Sequence, residues 1–418
     1  MSAAGARRAV ITGIGSLNPL GLSWEETWPR LVAGESGVGP ITLFDAAGAG
    51  LETRIAGEVQ GFRPEDYIDP KAARRMDRFT QLGVAAAGMA LRQSGLRIDE
   101  TNRDRVAVLF ATGAGGLASI VETERVRLER GARRVSPFAV PMLMSNAAAG
   151  QIGILFGARG LGGSFASACA SGNDALGLAL MAIQTGRADA VIAGASEACV
   201  TPLCIASFNQ AGALSTRNDD PPRASRPFDR ERDGFVLAEM GTALIVEELQ
   251  GARARGAPIL AELAGYGATM DAHHLTAPAP DGEGAVRAMR AALEDAGLPP
   301  EAVGYVNAHG TSTPLNDRVE TLALKTVFGR RASRLPVSAT KSMVGHAAGA
   351  CGAFEAAVCV QALLEGTLPP TINYRTPDPE CDLDYVPNEA RCAPIETALS
   401  NTFGFGGHNS CLVLRRIS

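Results

Sequence analysis

The sequence predicts an α/β protein built from two related halves, and three observations lead there. Short apolar runs alternate with Ala-rich helical stretches along the chain, and glycine-bearing turns separate them. The series strand, glycine turn, helix then runs through twice over comparable lengths. Such alternation is the pattern of sheets covered by helices, and a series that recurs marks an internal repeat. The repeat is one of pattern rather than residue identity.

In the first series, residues 9–15 (AVITGIG) read as a buried strand ending in a glycine turn. Residues 79–93 read as a helix followed by a loop around Gly95, and residues 106–111 as a strand running into the glycine-rich turn 113–116. Residues 173–185 read as a helix, and residues 190–195 and 242–246 as further strands. In the second series, 261–267 and 304–307 read as strands, and 284–296 and 350–364 as helices. The division falls near residue 255, where the charged helix 247–255 ends before Pro258, giving halves of 1–255 and 256–418.

Composition narrows the class. A chain of 418 residues is long enough for two domain-sized units sharing a core. Aromatics make up only 5%, so Ala, Val and Leu must fill that core. A net charge of −5 argues against general nucleic-acid binding. The stretch MSAAGARRAVITGIG lacks a secretory pattern, and no apolar run of about 18 residues is free of charge, so a cytoplasmic location is expected. The string Gly13-Ile14-Gly15 follows a strand, but Asn18 stands where a dinucleotide fingerprint needs its third glycine. Eight cysteines with no CxxC pair are, by default, small buried hydrophobes.

Cys169 departs from that default. It lies in SACASG (167–172), between residues 164–166 and the helix 173–185, and its small neighbours suit a sharp strand-to-helix turn. A thiol there faces a helix N-terminus, whose partial positive charge favours the thiolate. Backbone N–H groups of the same turn can receive a developing oxyanion. Taken alone, the segment reads equally well as a packed Cys in an Ala-rich core.

Two histidine motifs break the tie. NAHGTSTP carries His309 and KSMVGHAAG carries His346, two of only five histidines in the chain. Both are expected in glycine-bearing turns directly after strands, which project side chains into a cleft. With Lys341 close to the second, a nucleophile, two imidazoles and a cation form a chemically coherent set.

SACASG, NAHGTSTP, KSMVGHAAG and the late SNTFGFGGHN together resemble the β-ketoacyl-acyl-carrier-protein synthases of the elongating Cys-His-His type. Weaker similarity runs through ALSTRND, RPFDRERDGFV and PECDLDYVPNEA, so the resemblance covers nearly the whole chain. It implies a thiolase-like fold, two related α/β halves in a five-layer αβαβα arrangement, assembled as a homodimer or with a related subunit. It also implies condensation of a Cys-bound acyl group with malonyl-acyl carrier protein, with loss of CO₂, in fatty-acid-type chain elongation. No cofactor is implied, because phosphopantetheine arrives on the carrier.

The resemblance assigns roles residue by residue. Cys169 is the nucleophile, and His309 and His346 hold the enolate oxygen. Lys341 supports His346. Phe405 gates the pocket, and its N–H joins that of Cys169 in an oxyanion hole. Thr276, Thr311 and Thr313 bind the pantetheine arm, and Ala114, Ala139 and Phe208 border the substrate. No catalytic metal is implied, only a monovalent cation near Asn307 and Glu355. His273 and His274 are expected to be structural, and His408 a supporting residue in the GFGGHN turn. Lys71, Arg74, Arg75 and Arg78, with Arg133 and Arg134, are expected to dock the acidic carrier.

The sequence departs from that family's pattern at Ala114, Ala139 and Ala147, where bulkier residues are frequent. These changes point to room for long or bulky acyl chains. An alternative reading follows: a ketosynthase subunit of a dedicated polyketide or polyene pathway, paired with a chain-length-factor subunit. Gly212 replaces a frequent Arg, and Ala238-Glu239-Met240-Gly241 replaces a glycine-rich string without a functional account. A non-catalytic subunit would lack Cys169, and His346 disfavours a priming synthase or a thiolase.

Overall fold

The computed structural model describes residues 7–417; residues 1–6, part of the N-terminal stretch read above, lie outside the described residues. Ten strands form the main sheet. The first five are β1 (Ala9–Leu17), β2 (Val106–Ala111), β3 (Gly162–Gly163), β4 (Ala190–Glu197) and β5 (Met240–Glu248). The second five are β6 (Ala261–Met270), β7 (Tyr305–Asn307), β8 (Val337–Ser338), β9 (Thr397–Gly404) and β10 (His408–Arg415). In space they run β8-β7-β9-β10-β6-β1-β5-β4-β2-β3. Outward from the centre, each half therefore places its first, fifth, fourth, second and third strand in that order. The senses repeat as well: two antiparallel pairings are followed by two parallel ones in both halves. A short antiparallel pairing of β1 with β6, Ala9 opposite Leu263, joins them.

The glycines expected to turn the chain after β1 lie inside the strand. They are where helix α1 (Arg78–Ser94) packs onto it. A Cβ on Gly13 would lie 2.3 Å from the Ala90 carbonyl oxygen, and one on Gly15 would lie 2.1 Å from that of Ala86. The second half repeats the device. Cβ atoms on Gly265 and Gly267 of β6 would meet the carbonyls of Ala292 and Ala288, at 2.3 and 2.2 Å, on α3 (Glu283–Asp295). Glycine at alternate positions leaves one face of a strand bare, and an Ala-rich helix closes onto it.

Between the two sheet halves lie α2 (Ser171–Gln184) and α5 (Cys351–Glu365), and α4 (Pro314–Phe328) joins α3 on the outer face of the second half. The central core combines Ile11, Leu176, Val358 and Leu412, from both halves and both middle helices. Separate outer cores lie under α1 and under α3 and α4. The layers are helix, sheet, helix, sheet, helix. The two middle helices cross where Gly172 and Gly352 remove side chains: a Cβ on Gly172 would lie 2.6 Å from Ala353 N. Residues Ala348–Glu365 are apolar and long enough to cross a membrane, but 78% of that stretch is buried as this central layer.

Candidate active site

Cys169 stands at the entry to α2. It is reached through irregular residues 164–167 and one 3₁₀ turn, Ala168–Ala170, rather than directly from a strand. Ala168 is left-handed at φ +50°, a conformation uncommon for a residue with a Cβ, which marks the turn as tight. The Ser171 hydroxyl fixes the turn, accepting from Ser167 N at 2.9 Å and donating to the Ala168 carbonyl at 2.6 Å. Gly404 passes close above it: a Cβ there would lie 3.0 Å from Cys169 N.

His309 lies two residues beyond β7. Its turn is pinned by the buried Glu320 of α4, which accepts the N–H groups of His309 and Gly310, both at 2.8 Å. His346 arrives differently from the strand-end turn expected. The chain turns helical at Lys341–Val344, and Gly345 at φ +73° then redirects it. The His346 backbone is tied to a neighbouring segment, donating to Val236 O at 2.7 Å and accepting from Ala238 N at 3.0 Å.

These turns bring one reactive atom each of Cys169, His309 and His346 within 4.8 Å of one another. The two imidazoles meet edge to face, with centroids 5.4 Å apart. Lys341, expected beside His346, instead contacts His309. Its Nζ donates to the His309 carbonyl at 2.7 Å and lies 3.3 Å from Nδ1. The short helix turns the Lys341 side chain back toward the first histidine, and its charge still reaches His346. Lys341 also pairs with the buried Glu355.

Burial governs the site's protonation. It pushes the Cys169 thiol up to about 11, against Lys341 and the N–H groups of Phe405 and Cys169 itself, which favour the thiolate. Desolvation therefore opposes the helix-start effect that favours the thiolate. Burial and then the Lys341 charge hold both His309 and His346 well below the ordinary imidazole value, so both are neutral. Burial pulls Lys341 down, but contact with Glu355 carries it above its ordinary value, while burial pushes the Glu355 carboxyl up to about 7 against that same contact.

Among the other expected residues, Thr311 and Thr313 join hydroxyls at 2.8 Å. Thr276 is in an exposed loop held by His274, whose Nδ1 accepts from Thr276 N and Ala277 N, both at 3.1 Å. Phe405 is 39% exposed, with Phe208 6.5 Å away. Phe235 continues this aromatic series, 5.3 Å from Phe208 and 5.2 Å from His346. Ala114 donates to Glu197 at 3.2 Å, and its turn packs under Ala139–Leu143, with Gly116 N donating to Leu143 O at 3.2 Å. His408 opens β10 rather than sitting in the turn.

Lys71, Arg74, Arg133 and Arg134 are exposed. Arg75 is exposed too, with its guanidinium 4.5 Å over the Phe138 ring. Arg78 does not belong with them. It forms a bidentate pair with the buried Glu239, at 2.7 and 2.6 Å. Glu239 also accepts from Val59 N, which gives the unexplained 238–241 string a structural role. Asn307 Oδ1 and Glu355 Oε2 are buried without hydrogen-bond partners, which fits the donor chemistry of a cation. Sequence reading missed Glu197 and Phe235, whose partners are distant in sequence, and Glu320 and Cys351, whose nearby partners are met only through the folding of their own turns.

Two sequence models of known families match the chain: the beta-ketoacyl synthase N-terminal domain over residues 6–252 and its C-terminal domain over residues 260–375. Proteins named 3-oxoacyl-[acyl-carrier-protein] synthase 2 from Synechocystis and from Staphylococcus aureus are each 48% identical over 410 residues, 98% of both chains. Among solved structures, a type II polyketide ketosynthase in complex with its acyl-carrier protein and bound to a hexaketide superimposes with a TM-score of 0.92. It is 37% identical and covers 99% of this chain and 100% of that one. A beta-ketoacyl synthase from Burkholderia phymatum gives 0.89 at 37% identity, covering 99% and 100%. With both halves matched and the five-layer fold in common, the chain belongs to the beta-ketoacyl synthase family of condensing enzymes.

Proposed function

We propose that this protein is a 3-oxoacyl-acyl-carrier-protein synthase, an acyltransferase that elongates acyl chains by two carbons with loss of CO₂. The observation that carries the reading is the convergence of Cys169, His309 and His346 within 4.8 Å. Sγ of Cys169 attacks the acyl carrier's thioester carbonyl, the carrier's C–S bond breaks, and the thiol proton leaves with the pantetheine sulfur. The oxyanion formed by the attack, before that C–S bond breaks, is held by the N–H groups of Phe405 and Cys169.

Malonyl carrier then enters, with its arm against Thr276, Thr311 and Thr313. Its carbon–carboxylate bond breaks, CO₂ departs, and the electron pair forms an enolate. Two neutral imidazoles are suited to donate N–H to that oxygen, since each offers a hydrogen bond without a proton to lose first. The enolate carbon bonds to the acyl carbonyl, and the Cys169 C–S bond breaks to release the 3-oxoacyl product. Lys341 and Glu320 position His309. Asn307 and Glu355 would hold a monovalent cation, whose charge would steady the buried carboxylate.

Carrier docking falls to the exposed Lys71, Arg74, Arg75, Arg133 and Arg134. The edge strand β3 is bordered by exposed Ile154, Leu155, Leu161 and Phe165, an apolar face suited to a second copy or a related subunit. The small side chains Ala114 and Ala139, on two packed segments, favour long or bulky acyl chains and so a dedicated polyketide or polyene role as a second reading. Incubation with acyl carrier should add the acyl mass to Cys169, and malonyl carrier should then yield the 3-oxoacyl product. Condensation by Cys169→Ala would overturn the mechanism. A preference for short saturated chains in both the parent and Ala114→Ile would overturn the second reading.

A further inference from the structure

The two middle helices begin with matching turns. Ala168 and Ala348 are both left-handed, at φ +50° and +39°, and each opens a 3₁₀ turn leading into its helix. Ser171 and Cys351 then hold the same place, the first residue of α2 and of α5. Each accepts the N–H four residues earlier: Ser171 Oγ from Ser167 N at 2.9 Å, and Cys351 Sγ from Ala347 N at 3.2 Å.

The halves differ in what the side chain meets next. Ser171 turns its proton back onto its own turn, at the Ala168 carbonyl. Cys351 instead lies 3.2 Å from Nδ1 of His346. Sγ already accepts from Ala347 N, and sulfur is a weak acceptor, so the thiol hydrogen is what it has left to offer. Burial keeps that thiol protonated and His346 neutral.

We infer that Cys351 is a positioning residue for His346: its S–H donates to Nδ1 and so places the ring proton on Nε2. This rests on the condensing reaction proposed above. The two neutral tautomers have opposite chemistry. With the proton on Nε2, His346 donates a hydrogen bond to the enolate oxygen; with the proton on Nδ1, it presents a lone pair and repels that oxygen. The device therefore acts on decarboxylation more than on acylation of Cys169.

The test has two arms. In the intact enzyme with ¹⁵N-labelled histidine, the His346 signals, assigned with His346→Asn, should report Nε2–H; an Nδ1–H tautomer would overturn the proposal. In the second arm, Cys351→Ala should lower malonyl-carrier decarboxylation about tenfold while Cys169 acylation holds its rate. Cys351→Ser, which keeps a donor, should restore most of the loss. Parent-like decarboxylation in Cys351→Ala, or an equal loss in both variants, would overturn it. If Cys351→Ala fails to fold, the tautomer of the parent enzyme decides. If the parent neither acylates Cys169 nor decarboxylates malonyl carrier, the functional reading fails while the tautomer result stands.

Discussion

Lys341 Nζ donates to the backbone carbonyl of His309 at 2.7 Å, linking the helical turn that leads to the second histidine with the turn that carries the first. Its charge lies beside Nδ1 of His309 and pairs with Glu355. Lys341→Met should lower decarboxylation about 100-fold, the scale of losing one preorganised donor. It also strands a buried carboxylate, which should cost about 3–5 kcal/mol of stability. Stopped assays of CO₂ release alongside denaturant melts check both.

Arg78 and Arg74 lie close in sequence yet should behave oppositely. Arg78 is the bidentate partner of fully buried Glu239, whereas Arg74 is exposed. Arg78→Ala should destabilise by about 3–5 kcal/mol through the orphaned Glu239. Arg74→Ala should leave stability within about 0.5 kcal/mol. Its effect should be a raised KM for the carrier that fades with added salt. Melting curves and salt-dependent kinetics separate the two.

Glu320 gives a pH signature. Burial pushes its carboxyl up to about 7 in the fold, against the pull of the two N–H donors. An unfolded Glu titrates near 4.5. Between these values the folded state holds a proton the unfolded state has lost, so this contribution to stability falls as pH rises through the window. The stability difference between the parent and Glu320→Gln should shrink by about 3 kcal/mol from pH 4.5 to 7.5. Urea unfolding across that range measures it; a difference independent of pH would refute the assignment.

Gly177 tests packing against propensity. In α2 an alanine gains about 1 kcal/mol over glycine in helix propensity. Here its Cβ would lie 2.3 Å from Cδ2 of Tyr266, a ring anchored by its hydroxyl to Asp174 at 2.7 Å. Overpacking of this kind costs about 1–3 kcal/mol, so Gly177→Ala should be destabilising on balance. Because α2 carries Cys169 at its start, the acylation rate should fall as well. Melting temperature and acylation kinetics report the two effects.

Much of the fold was readable along the chain. Alternating apolar runs placed the strands and helices because a strand or helix records its burial in consecutive residues. The Cys169 turn and both histidine turns were readable too, since each is a short motif with its own turn chemistry. The glycines of β1 were legible as residues but not as a packing face, because what they clear room for is Ala86 and Ala90 on a helix far along the chain.

What the sequence determined alone was which groups are available: a Cys169 turn of small residues, two histidine turns and a doubled α/β pattern. Tertiary structure decided what those groups are. Burial, a property of the assembled core, pushes the Cys169 thiol up against the local helix-start effect and holds both imidazoles low. Partnerships across the fold assigned Lys341 to His309 and Arg78 to Glu239, and the local turn into α5 brought Cys351 to His346. Charge and hydrogen-bond energies depend on distance and dielectric, and both are fixed only when the two halves close on the middle helices.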